Sequence, residues 1–148
     1  MMKNIHDIIV TPLKKISVPN GDVMHAIKSS DNGYDNFGEA YFSTINSGGI
    51  KAWKKHHKMT LNLVVPSGNV QFVIYDDRKS SKSLGNFHKI VLSNKQYFRL
   101  TVPPKLWVGF KGLGDNPSII LNIANIEHSP SEVERKQVYE IFYDWELN

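Results

Sequence analysis

Residues 61–75 read LNLVVPSGNVQFVIY, two apolar runs separated by a polar turn. The runs at residues 61–65 and 70–75 are short, and the second is rich in the β-branched and aromatic residues that strands favour. Between them, residues 66–69 combine proline, serine, glycine and asparagine, which are typical of tight turns. This stretch predicts two strands joined by a turn.

The same pattern extends in both directions along the chain. Further short apolar runs occupy residues 23–27, 39–43, 50–53, 89–92, 97–102, 106–110 and 118–124. Turn clusters separate them at residues 19–22, 46–49, 93–95, 103–104 and 112–117. Eight or nine short strands with regular turns indicate an all-β sandwich or barrel.

One segment departs from this pattern, at residues 129–138. Ser129 or Ser131 could cap a helix, and Pro130 could open its first turn. Acidic residues also precede basic ones, in the order that the helix dipole prefers. We therefore expect a short C-terminal helix that packs against the barrel.

The bulk composition describes one ordinary globular domain. The chain has 148 residues, of which 41% are apolar and 22% charged, and at that length about two-thirds of the unfolded surface can be buried. It contains no internal repeat and no low-complexity linker, so we expect a single domain over residues 1–148. With no cysteine, disulfides and thiolate-bound metals are excluded.

The lack of targeting segments and the net charge limit the kinds of partner that this protein is expected to bind. The first residues lack the apolar core of a signal peptide, and no run approaches the ~20 apolar residues of a membrane helix, so we expect a cytoplasmic protein without a membrane partner. The net charge of +4 would suit nucleic acid, an anionic surface or a phosphorylated small molecule. The more common explanation of such a charge is a domain that is basic for solubility alone.

The densest group of charges is the run KAWKKHHK at residues 51–58. If this run is an extended strand, its side chains alternate between two faces. Ala52, Lys54 and His56 would then share one face. Lys51, Trp53, Lys55 and His57 would share the other. Because the run leads into an apolar strand, we expect one of these faces to line a cavity.

The composition of this run also raises the question of a nucleic-acid or a metal site. Lysines beside Trp53 would also suit single-stranded nucleic acid, but no RNA-recognition, KH or cold-shock pattern is present, so we expect no nucleic-acid partner. A metal site is not expected either. His56 and His57 leave a strand on opposite faces, so one ion could hardly bind both, and the other four histidines are scattered singly.

Three amides interrupt apolar strands: Asn62, Gln71 and Asn122. Burying an amide without a partner costs on the order of 1 to 3 kcal/mol, so each should meet either a structural partner or a ligand. Together they indicate a polar-lined cavity. Trp53 and Trp107 fit core or interface packing, or stacking on a nucleotide base. Residues 76–78, Asp-Asp-Arg, are interpreted as a structural ion-pair corner.

The order of segments resembles the dTDP-4-dehydrorhamnose 3,5-epimerase family over most of the chain. The matching segments lie at residues 16–23, 38–42, 49–53, 63–68, 75–78, 102–110 and 129–132. The resemblance implies a cupin-type double-stranded β-helix, which is a jelly-roll barrel. It also implies a homodimer that exchanges N-terminal strands, a nucleotide-linked 4-keto sugar as substrate, and no metal or cofactor.

The resemblance also defines where this chain departs from the family. In the family, a histidine of an Arg-Gly-x-His strand removes a proton beside the keto group, and a late tyrosine acts as the acid. Here the arginine falls on Lys51 and the histidine on Lys54, while His56 lies two residues further on the same strand face. The tyrosine falls near Asn122 or Glu127, and a second family histidine falls on Val108. The chain is most similar to a short subgroup found with surface-polysaccharide sugar genes.

Two hypotheses follow. The first is an epimerase or isomerase of a nucleotide-linked keto sugar, with His56 as the base, Lys54 as enolate stabiliser or base, and Lys51 on the diphosphate. Residues assigned to substrate binding are Lys51, Trp53, Asn62, Gln71, Asn122 and Trp107. The second hypothesis is a barrel that binds a sugar nucleotide or glycan without turning it over, and it rests on the missing tyrosine and second histidine.

Overall fold

The computed structural model describes residues 4–146. In this part of the chain, strands account for nearly all of the regular structure. They are β1 (Ile9–Pro12), β2 (Lys15–Val18), β3 (Gly21–Met24), β4 (Glu39–Ile45), β5 (Ile50–His56), β6 (Leu61–Ser67), β7 (Asn69–Tyr75), β8 (Phe87–Ser93), β9 (Phe98–Val102), β10 (Trp107–Leu113), β11 (Ser118–Ala124) and β12 (Val133–Arg135). Two short 3-10 helices occupy Pro130–Glu132 and Val138–Glu140. None of the described helices is long and apolar enough to cross a membrane.

Two five-stranded sheets form the barrel. The first has the order β1-β9-β6-β11-β4 and the second β12-β5-β10-β7-β8, with antiparallel neighbours throughout. Strands that are distant in sequence therefore lie side by side, as expected for a jelly roll. The all-β, cupin-type barrel predicted from the sequence is confirmed.

Alternation along the strands separates two apolar clusters. Val70, Phe72 and Ile74 of β7 point between the sheets into the main core, where they meet residues of both sheets. Val73 and Tyr75, on the other face of the same strand, belong to a second cluster outside the second sheet. Residues 141–145 cover that outer cluster, so the C-terminal segment packs on the barrel as a strap rather than as a helix.

The predicted C-terminal helix is wrong. Only Pro130–Glu132 forms a 3-10 turn, and the following residues form β12, which pairs with the edge of β5. Ser129 makes no capping hydrogen bond, and its hydroxyl meets that of Ser131 instead. Because the edge of β5 offers unpaired backbone groups, sheet pairing satisfies the segment's amides better than a short, uncapped helix would.

The N-terminal strands were only partly predicted. The run at residues 23–27 overlaps β3, whereas β1 and β2 were not predicted. β2 and β3 form a separate two-stranded ribbon that pairs with neither sheet. Its apolar side chains Ile16, Val18 and Val23 are exposed.

Candidate active site

A cavity of about 510 Å³ lies between the two sheets. Its apolar wall includes Leu61 and Leu63 of the first sheet and Phe72 and Val108 of the second. Its polar lining is gathered from β4, β5, β11 and the segment that begins with β12. These polar residues are Tyr41, Ser43, Lys51, Lys54, His56, Asn122, Arg135, Lys136, Gln137 and Glu140. A pocket of this size with a few convergent polar groups is the usual form of a small-molecule site.

A β-bulge in β5 sets which basic side chains enter the cavity. Val108 of β10 pairs with Lys54 but Phe110 pairs with Lys51, so two residues of β5 stand opposite Gly109. The extra residue inverts the alternation beyond that point. The predicted faces are therefore wrong for Lys51, which lines the cavity together with Lys54 and His56. Ala52 packs against the outer cluster and also borders the cavity.

His56 pairs with Glu132. Nδ1 of His56 bonds the Glu132 carboxylate, and both side chains are largely buried. The second carboxylate oxygen accepts the backbone N–H groups of Lys58 and Met59, at 3.2 and 3.3 Å. Burial alone would raise the pKa of Glu132, but the hydrogen bonds from His56 and these amides lower it overall.

This pairing fixes the tautomer of the imidazole. An ionised carboxylate can only accept, so the hydrogen lies on Nδ1, and Nε2 of the neutral ring carries a free lone pair. No residue between 4 and 146 bonds Nε2. The geometry therefore suits a general base that is held by a buried carboxylate.

Among residues 4–146, four cationic side chains line the same cavity: Lys51, Lys54, Arg135 and Lys136. Lys51 Nζ donates to the Thr44 carbonyl at 2.8 Å. Lys54 and Arg135, which stand opposite each other on β5 and β12, form no salt bridge within the described chain. Desolvation, with the nearby charges of Arg135 and Lys51, lowers the pKa of Lys54. The mouth of the cavity thus carries positive charge that suits an anionic ligand.

The opposite wall presents Tyr41 of β4 and Asn122 of β11. These residues are direct cross-strand neighbours, and Asn122 Nδ2 donates to the Tyr41 hydroxyl at 3.0 Å. Asn122 is thus the one predicted amide that lines the cavity.

Asn62 and Gln71 do not reach the cavity. Asn62 Oδ1 accepts from Thr101 at 2.6 Å and from Arg99 at 3.2 Å, and its Nδ2 donates to the Gly33 carbonyl. This is the structural alternative weighed for these amides. Gln71 stands beside Lys111 on the outward face of β7, buried, with no hydrogen-bond partner for Nε2 among the described residues.

The two tryptophans are packing residues. Trp53 is 1% exposed and lies against Trp145, with ring centroids 5.4 Å apart, although part of it borders the cavity. Trp107 is 2% exposed, and its Nε1 donates to Asp77 at 2.8 Å. Neither indole offers an open face for a nucleotide base.

The Asp-Asp-Arg corner is structural, as predicted. Asp76 accepts from Arg78 and from the hydroxyls of Ser81 and Ser83, and Arg78 also bonds Asp7. His57 lies outside the cavity, where it meets Glu134 at 3.3 Å. No group of three potential metal-binding side chains occurs within residues 4–146.

Among the residues that sequence analysis missed are Tyr41 and Arg135, which line the cavity, and Glu132, which does not line it but bonds His56. Glu132 and Arg135 were assigned to a helix, although Glu132 belongs to a segment that matches the family. Tyr41 alternates with Ser43 in a predicted strand, which was the available signal for an inward-facing side chain. Its partner Asn122 lies 81 residues away, so the pair could not be foreseen.

Comparison with known proteins adds an independent result. A dTDP sugar isomerase from Desulfovibrio desulfuricans G20 is 33% identical, with a TM-score of 0.88 over 90% of this chain and 85% of that chain. The curated "Probable low-salt glycan biosynthesis epimerase Agl13" of Haloferax volcanii is 31% identical over 82% of this chain and 79% of its own length.

A third similarity concerns the fold alone. A dTDP-4-dehydrorhamnose 3,5-epimerase from Sulfolobus tokodaii is 24% identical, with a TM-score of 0.84 over 99% of this chain and 86% of that chain. No protein-family model matches the chain. The identities above 30%, together with the shared barrel, establish that this chain belongs to the dTDP-4-dehydrorhamnose 3,5-epimerase-like family of sugar epimerases and isomerases.

Proposed function

We propose that this protein is an epimerase or isomerase of a nucleotide-linked 4-keto-6-deoxy sugar, of the dTDP-sugar type. The observation that carries the proposal is the His56–Glu132 pair, whose imidazole lines a cavity with a cationic mouth. The similar proteins support this class of activity, since one is a dTDP sugar isomerase and another a probable glycan biosynthesis epimerase. A role in surface-polysaccharide sugar synthesis in the cytoplasm is part of the proposal.

The chemistry begins at the carbon beside the keto group. The carbonyl makes the hydrogen on this carbon acidic, and Nε2 of His56 removes it as a proton while the C–H electron pair forms an enolate. Glu132 holds the ring and stabilises the imidazolium that results. The negative charge moves to the former carbonyl oxygen, which then requires a cationic or hydrogen-bonding partner.

Lys54 and Lys51 are assigned different roles in substrate binding and catalysis. Lys54 shares the inward face of β5 with His56, so it is placed to stabilise the enolate oxygen, and its lowered pKa also fits a second acid or base role. Lys51 and Arg135 are assigned to the diphosphate, because phosphate oxygens favour lysine and arginine at an exposed mouth. Asn122 is kept as a polar contact on the opposite wall.

The proposal includes a homodimer. The ribbon of β2 and β3 makes no sheet contact with the barrel, and a two-stranded ribbon is marginally stable by itself. Its side chains Ile16, Val18 and Val23 are 44%, 45% and 49% exposed. Packing on a second copy of the chain would bury them.

Deuterium wash-in tests the reaction. The protein is incubated in D2O with a dTDP-linked 4-keto-6-deoxy sugar, and exchange at the carbons beside the keto group is followed by NMR. We expect exchange with the natural protein and a loss of at least about 100-fold in His56→Ala, since general bases contribute factors of 10² to 10⁴. His57→Ala is the matched control, because the neighbouring ring lies outside the cavity.

Full exchange in His56→Ala would overturn the assignment of the base. If the natural protein catalyses no exchange, the alternative of a binding barrel gains support. Thermal shifts with dTDP, UDP, GDP and CDP then separate binding from no binding, because a ligand at about 100 times its Kd stabilises by about 2.7 kcal/mol.

A further inference from the structure

Tyr41 and Asn122 form a hydrogen-bonded pair that the steps above leave without a catalytic task. Tyr41 belongs to β4 of the first sheet, whereas His56 belongs to β5 of the second, and both line the cavity. A substrate between the sheets would therefore have the imidazole on one side and the phenol on the other.

Inversion at carbon needs a proton donor on the side away from the base. The described residues that line the cavity from the first sheet are Tyr41, Ser43, Leu61, Leu63, Ile120 and Asn122. Within this set only Tyr41 has a titratable side chain, and a phenol is far more acidic than the serine hydroxyl.

The hydrogen bonds around Asn122 leave the phenol hydrogen available. Asn122 Oδ1 accepts the backbone N–H of Asn62 at 3.3 Å, so its NH2 group faces Tyr41. The phenol oxygen is therefore an acceptor in this contact, and its own hydrogen meets no acceptor in residues 4–146. The amide also stabilises the negative charge that the oxygen carries after the proton has left.

We propose that Tyr41 is the catalytic acid that returns a proton on the face opposite His56, and that Asn122 is its positioning residue. This rests on the proposed function. The enolate electron pair forms the new C–H bond with the Tyr41 proton, and the carbonyl is restored. Tyr41 is then a phenolate and His56 an imidazolium. Transfer of one proton from His56 to Tyr41 through solvent resets the site.

The test separates exchange from inversion with Tyr41→Phe in D2O. Removing only the acid leaves His56 able to take a proton and return a deuteron on the same face. We expect label to enter the recovered keto sugar while inverted product forms at least about 100-fold more slowly. Tyr139→Phe is the control, because that side chain is 81% exposed and does not line the cavity.

A second variant tests the positioning role. Asn122→Asp keeps an oxygen for the Asn62 amide but replaces the donor to Tyr41 with an acceptor. We expect slower inversion with exchange retained, in protein whose thermal unfolding confirms a folded barrel.

Two results would overturn the assignment of Tyr41. One is inversion at the natural rate in Tyr41→Phe, and the other is loss of exchange together with inversion. Neither result would contradict the proposed function, because the natural protein would still catalyse exchange and that exchange would still require His56. Failure of the proposed function is different, since the natural protein would then exchange nothing.

Discussion

Side chains in the cavity owe their orientation to partners far away in the sequence. His56 and Glu132 are 76 residues apart, yet the carboxylate fixes which imidazole nitrogen carries the hydrogen. Glu132 is itself held by two backbone amides, so it cannot turn away without leaving those donors unpaired. The imidazole of His56 is thus positioned by a chain of hydrogen bonds rather than by its own strand alone.

Glu132→Gln should lower kcat by roughly 100-fold while changing KM little. The neutral amide can still accept from His56, but it no longer stabilises the imidazolium that forms during proton removal. Steady-state kinetics with the dTDP-linked keto sugar measure both constants. Glu134→Gln is the control, because Glu134 meets His57 on the exposed surface. A rise in KM with kcat unchanged would contradict the positioning role.

The local sequence identified side chains with suitable chemistry, but it did not show which distant residues they contact. The basic run around His56 was identified as the site because so many titratable groups adjoin an apolar strand. Glu132 was not, since nothing near it in the chain shows that it meets His56. Asn62 and Gln71 were assigned to ligand binding because a buried amide needs a partner. The structure shows partners for Asn62 within the fold and places Gln71 outside the cavity.

Among the strands, β5 is the one that shapes the cavity. Its bulge places Ala52 and Trp53 opposite Gly109 and turns Lys51 inward. The fit at Gly109 is close, because a Cβ there would lie 2.7 Å from Ala52 Cβ and 3.0 Å from Trp53 Cε3. The glycine is therefore what allows the two strands to approach at the bulge.

Gly109→Ala should destabilise the protein by about 1–3 kcal/mol, because the added methyl overpacks the bulge. Urea unfolding measures the loss. Ala52→Gly in the same chain removes the contacting methyl and should recover part of the stability, which a double-mutant cycle quantifies. Independent, additive effects of the two changes would show that they do not meet.

Strand prediction succeeded where short apolar runs lie between turn residues. Nine runs predicted from the pattern overlap β3 to β11. The bulge could not be foreseen, since alternation assumes one residue opposite one residue. β12 could not be foreseen either. Its local signals favour a helix start, and pairing with a distant edge strand outweighed them.

At the scale of the whole molecule, the β2–β3 ribbon pairs with neither sheet and exposes apolar side chains. If it packs on a second copy, charge introduced there should weaken assembly. We expect Val18→Lys to shift the protein from dimer to monomer in light scattering after size-exclusion chromatography. Lys14→Glu is a nearby charge change on an already polar side chain and serves as the control. A monomeric natural protein would contradict the homodimer.

Acid should destabilise the fold. Burial raises the pKa of Asp76, but hydrogen bonds from Arg78, Ser81 and Ser83 outweigh it and hold that pKa below its ordinary value. The pKa of Glu132 is lowered too, by its bonds to His56 and backbone amides. A carboxyl whose pKa is depressed by folding contributes stability above its unfolded pKa, and this stability is lost as pH falls.

Urea midpoints should therefore fall steadily below about pH 4, where these carboxyls bind protons on unfolding. Asp76→Asn should lower stability at pH 7 and flatten this dependence, because one proton-binding group is removed. Equal midpoints at pH 7 and pH 3 in the natural protein would contradict the prediction.

The pairing of β12 with β5 also sets when the site can exist during synthesis. A ribosome makes β5 and strands β6 to β11 before it makes Glu132. A nascent barrel that lacks β12 would hold its imidazole without the carboxylate that orients it. Catalytic competence would then follow the synthesis of β12, after strands β4 to β11 have been made.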